Sequence, residues 1–504
     1  MQSASFMDDH RGTSRNDICE RLLDTAADRH NIDFCNQMNI IYDISILGEG
    51  FDREASRTGV FRVVENMLKL LVESGRFKIL MYPAKMNYWE CLEYLKKSGR
   101  PTACFYTPKF LSAHLLCGKS IHYLERFACN SAISLVKRLP VRIVLKIVRT
   151  IYNFFQLCSD ALERNAKRRI IAEYDIYHTF LRPVPKWIKG IQTLKTFVTV
   201  FDLIPVIHPE YFNKKSSAIF KKEMEQLGAD DYIISISGST KEDLCCHYKV
   251  LDPKRIYVTH LAAPDTFRPC ESPDRIQEVK RKLNIPCNAR YVLSVATFEP
   301  RKNLDVIVKS FRKVLSSGQI SDLFLVLAGP IGWKCEEVLD MVHDSSHVSG
   351  RIIAPGYVSD EDLRILYSDA LVFVYPSRYE GFGLPPLEAM QCGAPVITSN
   401  TSSMPEVVSD AAIMVDPFDI TTIANSILTF YHDNGLRAEM SRKSLDRARH
   451  FSWNNTVEKT IDAYKAALSV KYKRDNMLDA EVSYAGEKLS ATRSHDLHPS
   501  IARP

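Results

Sequence analysis

The sequence predicts an α/β protein built from two doubly wound domains. Short β-rich runs alternate with stretches of helical period along most of the chain, the pattern of parallel sheets with crossover helices. Its 504 residues exceed what one hydrophobic core usually organises. An apolar share of 45% and a charged share of 25% are those of an ordinary globular chain. They exclude a mainly disordered, collagen-like or small disulfide-stapled protein. Lys and Arg number 66 against 60 Asp and Glu, an excess of six. Spread over this length, that charge does not argue for a nucleic-acid partner.

In chain order, residues Met1 to Gln37 are polar and charged and read as an N-terminal extension. Their start is acidic and lacks the basic residues and apolar run of a signal peptide. The run Ile40–Leu47 opens the globular part with strand composition. Further strands are expected at Phe77–Tyr82, Tyr174–Phe180, Thr196–Phe201 and Tyr232–Ser237. The proline-bearing stretch Arg268–Pro273 reads as a linker between an N-terminal domain over 38–270 and a C-terminal domain over 276–455. In the second domain, strands are expected at Tyr291–Ala296, Leu323–Ala328, Arg351–Ala354, Ala370–Tyr375, Pro395–Ser399 and Ala412–Val415. A crossover helix over 456–472 follows, and Lys473 to Pro504 reads as a disordered tail. No stretch approaches the roughly 18 apolar residues of a membrane helix. Thirteen cysteines without a C-x-x-C pair, with Cys245 and Cys246 adjacent, predict buried free thiols in a cytoplasmic enzyme.

The most informative stretch is Pro376–Met390, P-S-R-Y-E-G-F-G-L-P-P-L-E-A-M, which follows an apolar strand and opens a helix. Gly381 and Gly383 let the backbone turn tightly and approach a ligand. Pro385 and Pro386 suit a helix's first turn. Free amides and the helix dipole make such a start a ready site for phosphate. Glu380 and Glu388, eight residues apart, bracket it. A second motif, Glu299-Pro300-Arg301-Lys302-Asn303, follows the first strand of the C-terminal half.

These motifs resemble the family 4 retaining glycosyltransferases, whose hallmark is E-x7-E inside an E-G-F-G-L-P-x-x-E loop. The resemblance covers about Ile40 to Tyr472, is strongest from Tyr291 to Asp416, and implies the GT-B fold: two Rossmann-like domains facing a central cleft. It implies that Glu380 contacts the donor sugar and Glu388 the nucleotide ribose. Gly381, Phe382, Gly383 and Leu384 would supply amides around the diphosphate. Lys302 would meet the charge of the leaving group, with Arg301 beside it. Tyr357 and Val358, in P-G-Y-V, would lie near the nucleobase. Gly59, in Arg57–Val63, would line the cleft near the transferred sugar. The segment Phe201-Asp202-Leu203-Ile204-Pro205 looks like the family's H-D-L-x-P. Asp202 is retained, while Phe201 stands where many members carry a histidine, so no catalytic histidine is assigned. The E-P-R-K-N loop is similar to that of bacterial O-antigen and capsule mannosyltransferases, which favours GDP-mannose as donor.

Asp360-Glu361-Asp362 has the D-x-D form of a metal site. With Ser359 before it and a helical pattern after, it reads as an N-cap with an acidic first turn. No metal and no cofactor are expected. The implied partners are a nucleotide sugar and a glycan or polyprenyl-linked glycan acceptor. Rivals are an epimerase or phosphorylase on the same fold, and a non-catalytic sugar-nucleotide-binding partner of a larger polysaccharide synthase. A nicotinamide enzyme is disfavoured because no G-x-G-x-x-G follows the first strand of either half.

One further signal lies outside these motifs. Leu135–Arg149 carries five cations, Lys137, Arg138, Arg142, Lys146 and Arg149, and no acid appears between Arg126 and Asp160. Arg142, Lys146 and Arg149 share a helical face away from an Ile/Val/Leu/Phe stripe. Such a helix either lies on an anionic membrane surface or is a domain helix with a solvated basic face.

Overall fold

The computed structural model describes residues 38–51, 59–129, 135–316, 318, 320–343 and 350–469, without the side chains of 129, 135–139 and 343. The expected extension and tail lie outside the described residues, as do Arg57 and Thr58 of the first glycine loop and the side chains of Lys137 and Arg138.

Two compact units make up the chain: residues 1–54 with 74–167, and residues 55–73 with 168–504. In the first, β1 (Asn39–Asp43) and β2 (Lys78–Tyr82) pair in parallel, with Ile40 opposite Ile79 and Tyr42 opposite Met81. The expected strand to Leu47 stops at Asp43. Its carboxylate accepts from the Ser45 amide at 2.9 Å and the Ser45 hydroxyl at 2.6 Å, a local bond that turns the chain into the Ser45–Glu49 helix. Helices Tyr88–Lys97, Leu111–Cys129 and most of Leu135–Ile171 complete this unit.

The second unit holds β3 (Ile176–Phe180), β4 (Lys195–Val200), β5 (Tyr232–Ser235) and β6 (Ile256–Val258), parallel and adjacent in chain order. β6 escaped prediction because three residues carry no readable period. A second parallel sheet runs β12-β11-β10-β7-β8-β9. Its strands are β7 (Arg290–Val295), β8 (Leu323–Ala328), β9 (Ile352–Gly356), β10 (Val372–Tyr375), β11 (Val396–Ser399) and β12 (Ala412–Val415). β10 is wholly buried and β7 nearly so, as strands covered by helices on both faces must be.

Strand order in this sheet reverses between β7 and β10, the switch point outside whose carboxyl ends open α/β sheets bind ligands. The loops leaving these two strands are 296–303 and 376–383, the two that carry the sequence motifs. Ser272, at the end of the expected linker, caps the Pro273–Lys282 helix. The last described helix, residues 453–469, packs on the first sheet of its unit. There Tyr464 meets His178 of β3 with 2.5 Å between the phenol oxygen and Nδ1, and Nε2 of His178 lies 2.7 Å from the Thr199 hydroxyl. Burial holds this imidazole neutral, at about 3.

Cys91, Cys335 and Cys392 are buried and free as expected, but Cys158, Cys246 and Cys287 are free and exposed. No helix among the described residues is long and apolar enough to cross a membrane.

Candidate active site

Glu380 is the hub of the switch-point site. It is buried at the mouth of β10, and its Oε1 accepts from Lys302 Nζ at 2.6 Å, Ser377 Oγ at 2.7 Å and Tyr375 Oη at 2.8 Å. Its Oε2 lies 2.6 Å from Arg301 Nη1. Burial pushes this carboxyl up, but Arg301 and Lys302 override it and hold it at about 2. Arg301 also donates to the Tyr379 carbonyl at 2.9 Å and pairs with Glu299 at 2.6 Å. Its Nε is buried with no hydrogen-bond partner among the described residues. Burial, followed by the neighbouring Arg301, lowers the Lys302 ammonium.

The loop that presents these cations is fixed by Asn303, which sits at φ 61° and is fully buried. Its amide donates to the Pro376 and Pro417 carbonyls at 3.0 and 2.6 Å and accepts from Arg378 at 2.9 Å. The final residue of E-P-R-K-N is thus a brace that ties the β7 loop to the β10 loop.

Gly381 and Gly383 are required for different reasons. A Cβ on Gly381 would lie 2.2 Å from the Phe201 carbonyl oxygen and 3.0 Å from Asp202 Cβ. Gly383 has φ +127°, a conformation that side-chain-bearing residues avoid, and it precedes the Leu384–Gln391 helix. Phe382 is buried. Asp202 accepts from the Ile204 amide at 3.0 Å, and burial raises its carboxyl despite the field of Arg301.

Glu388, in the same helix, is buried. Its Oε2 accepts from Tyr367 Oη at 3.2 Å, and its Oε1 lies 3.4 Å from Arg62 Nη1. Burial pushes this carboxyl up to about 7 against the pull of Arg62. The two glutamates of E-x7-E are therefore shifted in opposite directions. Gly59 opens the Gly59–Glu73 helix, with its Cα facing Leu384 so closely that a Cβ would come within 3.3 Å. Of the base-site candidates, Val358 is buried and Tyr357 is exposed.

The family profile of "Glycosyl transferases group 1" matches residues 275–447. O-antigen chain mannosyltransferase B of Escherichia coli is 36% identical over 274 residues, which is 54% of this chain and 71% of that protein. The chain belongs to the group 1 glycosyltransferases. It is an enzyme of that family, the family 4 of the sequence resemblance. The serotype-specific mannosyltransferase WbdA of Escherichia coli is 29% identical over 305 residues, 60% of this chain and 36% of that protein, so the chain spans about a third of its length. A glycosyltransferase from Rickettsia africae has the same fold, with a TM-score of 0.56 at 18% identity over 86% of this chain and 99% of that one. The fold is GT-B.

Within this glycosyltransferase, Glu380, Lys302, Arg301 and Asp202 gather at one point, with Glu388 further along the helix. The Ser359 cap is present, its oxygen accepting from the Asp362 amide at 3.3 Å. Asp360 pairs with Arg62 at 2.7 Å and Asp362 with Lys282 at 2.6 Å. Sequence reasoning missed Arg62, which reaches both Asp360 and Glu388 from the first turn of its helix. It also missed Glu406, whose carboxylate accepts from the Gly238 and Ser239 amides at 2.8 and 3.1 Å and lies 3.1 Å from His260 Nε2. That carboxylate takes up the free amides of the Gly238–His247 helix, whose N-cap is Ser237. Only Arg62 left a trace in sequence, as a cation three residues after Gly59.

Proposed function

We propose that this enzyme is a retaining hexosyltransferase that moves mannose from GDP-mannose to a glycan or polyprenyl-linked glycan acceptor during O-antigen-like surface polysaccharide assembly. The observation that carries the reading is the clamp of Arg301 and Lys302 on Glu380 at the switch point. Two mostly buried cations stand beside a glycine turn and a helix start, where a nucleoside diphosphate would develop charge on leaving. The buried Nε–H of Arg301 is a donor in reserve for a phosphate oxygen.

In this scheme Gly381, Phe382, Gly383 and Leu384 cradle the diphosphate with main-chain amides, while Glu380 and Asp202 position the sugar. Glu388 holds the ribose, Tyr357 and Val358 flank the base, and Gly59 lines the sugar pocket. The glycosidic bond breaks as the acceptor oxygen approaches the same face of the sugar. The acceptor proton passes to the departing diphosphate oxygen, so retention needs no enzymatic nucleophile. The protein contributes positioning and charge stabilisation. Placement at the inner face of the plasma membrane belongs to this reading, because a polyprenyl-linked acceptor is presented there.

A panel of GDP-, UDP- and dTDP-sugars tests the donor. GDP-mannose is expected to raise the melting temperature most, since a ligand bound to the folded state alone stabilises it by linkage. Transfer to an acceptor should persist in EDTA, because Lys302 and Arg301 supply the positive charge and the D-x-D acids are held by Ser359, Arg62 and Lys282. Loss of activity in EDTA with recovery on Mg²⁺ or Mn²⁺ would overturn that part.

The Glu388 carboxyl makes a second test. Its ionised form accepts hydrogen bonds from ribose hydroxyls, and with the group at about 7 that form is gained as pH rises through neutrality. Affinity for GDP, measured by calorimetry, should be several-fold weaker near pH 6 than near pH 8. Glu388→Gln should flatten the profile and weaken binding about ten- to a hundredfold. An unchanged profile in this variant would remove Glu388 from the ribose site.

A further inference from the structure

The Leu135–Ile171 helix turns an unexpected side to solvent. Its inner side is polar as well as apolar: Ser159 and Glu163 are buried, and Tyr152 and Ser159 contact His114 of the Leu111–Cys129 helix at 3.4 and 3.2 Å. Phe155 packs on Phe110 with ring centroids 6.3 Å apart. The outer side carries Ile143, Ile147, Ile151, Phe154, Leu157 and Leu162, all exposed, with Phe154 at 69% and Leu162 at 76%. At 1.5 Å per residue this stripe is about 28 Å long. Leu116, Tyr123 and Phe127 are likewise exposed on the Leu111–Cys129 helix.

Charge flanks the stripe with one sign. Arg142, Lys146 and Arg149 are exposed beside it, and Lys119 and Arg126 are exposed on the neighbouring helix. The nearby acids are engaged: Glu125 with Arg149, and Asp160 with Lys167 at 2.6 Å and Arg164 at 3.7 Å. A soluble monomer does not usually leave so continuous an apolar strip in water.

We propose that this outer face docks the enzyme on an anionic membrane, with the apolar stripe inserted among the acyl chains and the flanking Arg and Lys at the phosphate level. A bilayer surface supplies both an apolar layer and negative charge. A second copy of the chain related by a two-fold axis would bring equally basic flanks against these ones. The inference deepens the membrane placement proposed above and rests on it. It does not depend on which sugar is transferred, and its test uses no turnover.

The test is flotation and titration of the full-length protein with vesicles of phosphatidylethanolamine and phosphatidylglycerol, and with phosphatidylcholine vesicles as control. Binding should be at least about tenfold tighter to the anionic vesicles and weaken as salt rises. The double variant Ile147→Glu with Phe154→Glu should lose about tenfold or more in binding. Its melting temperature should hold, because both side chains are already in water. Arg142→Gln with Lys146→Gln should weaken binding to anionic vesicles alone. No binding of wild type to anionic vesicles at low salt overturns the proposal. So does full binding by the double glutamate variant, which would leave no role for insertion. Light scattering that finds a dimer broken by those glutamates would assign the stripe to a second copy and overturn it equally. A failed donor panel with intact vesicle binding would count against the transfer reading alone.

Discussion

Lys302→Ala is expected to lower turnover by about 10²–10³-fold, the usual loss when a preorganised charge is withdrawn from a developing anion. Binding of the intact sugar-nucleotide donor should change much less, because the diphosphate reaches full leaving-group charge only as the glycosidic bond breaks. The fold should survive: Glu380 keeps Arg301, Tyr375 and Ser377 as partners, so its carboxylate is not left unpaired in the interior. Steady-state kinetics separate the outcomes. A fall in kcat with KM for the donor nearly constant supports the role. A raised KM with unchanged kcat would make Lys302 a binding residue only.

Gly381→Ala should be nearly as damaging, for a steric reason. The new methyl would stand 2.2 Å from the Phe201 carbonyl oxygen and 3.0 Å from Asp202 Cβ, both on the loop after β4. Neither neighbour is the tip of a flexible side chain, so a loop must move. Displacing catalytic groups by about 1 Å costs on the order of 10²-fold in rate, and overpacking costs about 1–3 kcal/mol in stability. A fall in both kcat/KM and melting temperature is therefore expected. A variant with wild-type values for both would mean that the two loops have room for a methyl group between them. The contact also gives Phe201 a part that does not depend on its side chain: its main-chain oxygen sets how near the loop that carries Gly381 can come.

How much of this was legible in the sequence differs from element to element. The inner strands of the C-terminal sheet were readable because they are doubly buried and hence apolar along their length, as in Leu323–Ala328, where expectation and structure coincide. The positions of Glu380, Arg301 and Lys302 in the loops after two strands, and of Glu388 in the helix that follows, were readable from their fixed spacing after those strands. The clamp itself was not, since a carboxylate's partners depend on which strands are neighbours, and β7 adjoins β10 only through strand order. Arg62 contacts residues 298 and 326 positions away, a separation on which local pattern is silent. The Leu135–Ile171 helix shows a further limit. Periodicity reports that a helix has an apolar side, yet it does not say whether that side meets the core or the outside.

The pairing of Tyr464 with His178 has a consequence for how the protein comes off the ribosome. The two residues are 286 positions apart, so at 5–20 residues per second the imidazole emerges roughly 15–60 s before the phenol that covers it. During that interval the β3–β4 face has been translated but lacks its last helix, and the His178 ring has the Thr199 hydroxyl at Nε2 but not yet the Tyr464 phenol at Nδ1. Completion of this sheet's core is thus postponed until the 453–469 helix has been made. A nascent chain arrested before residue 453 should remain protease-sensitive around β3 in a way that the finished chain is not. Quality control by chaperones would then act on the first half of the molecule for most of its synthesis, although that half is made first.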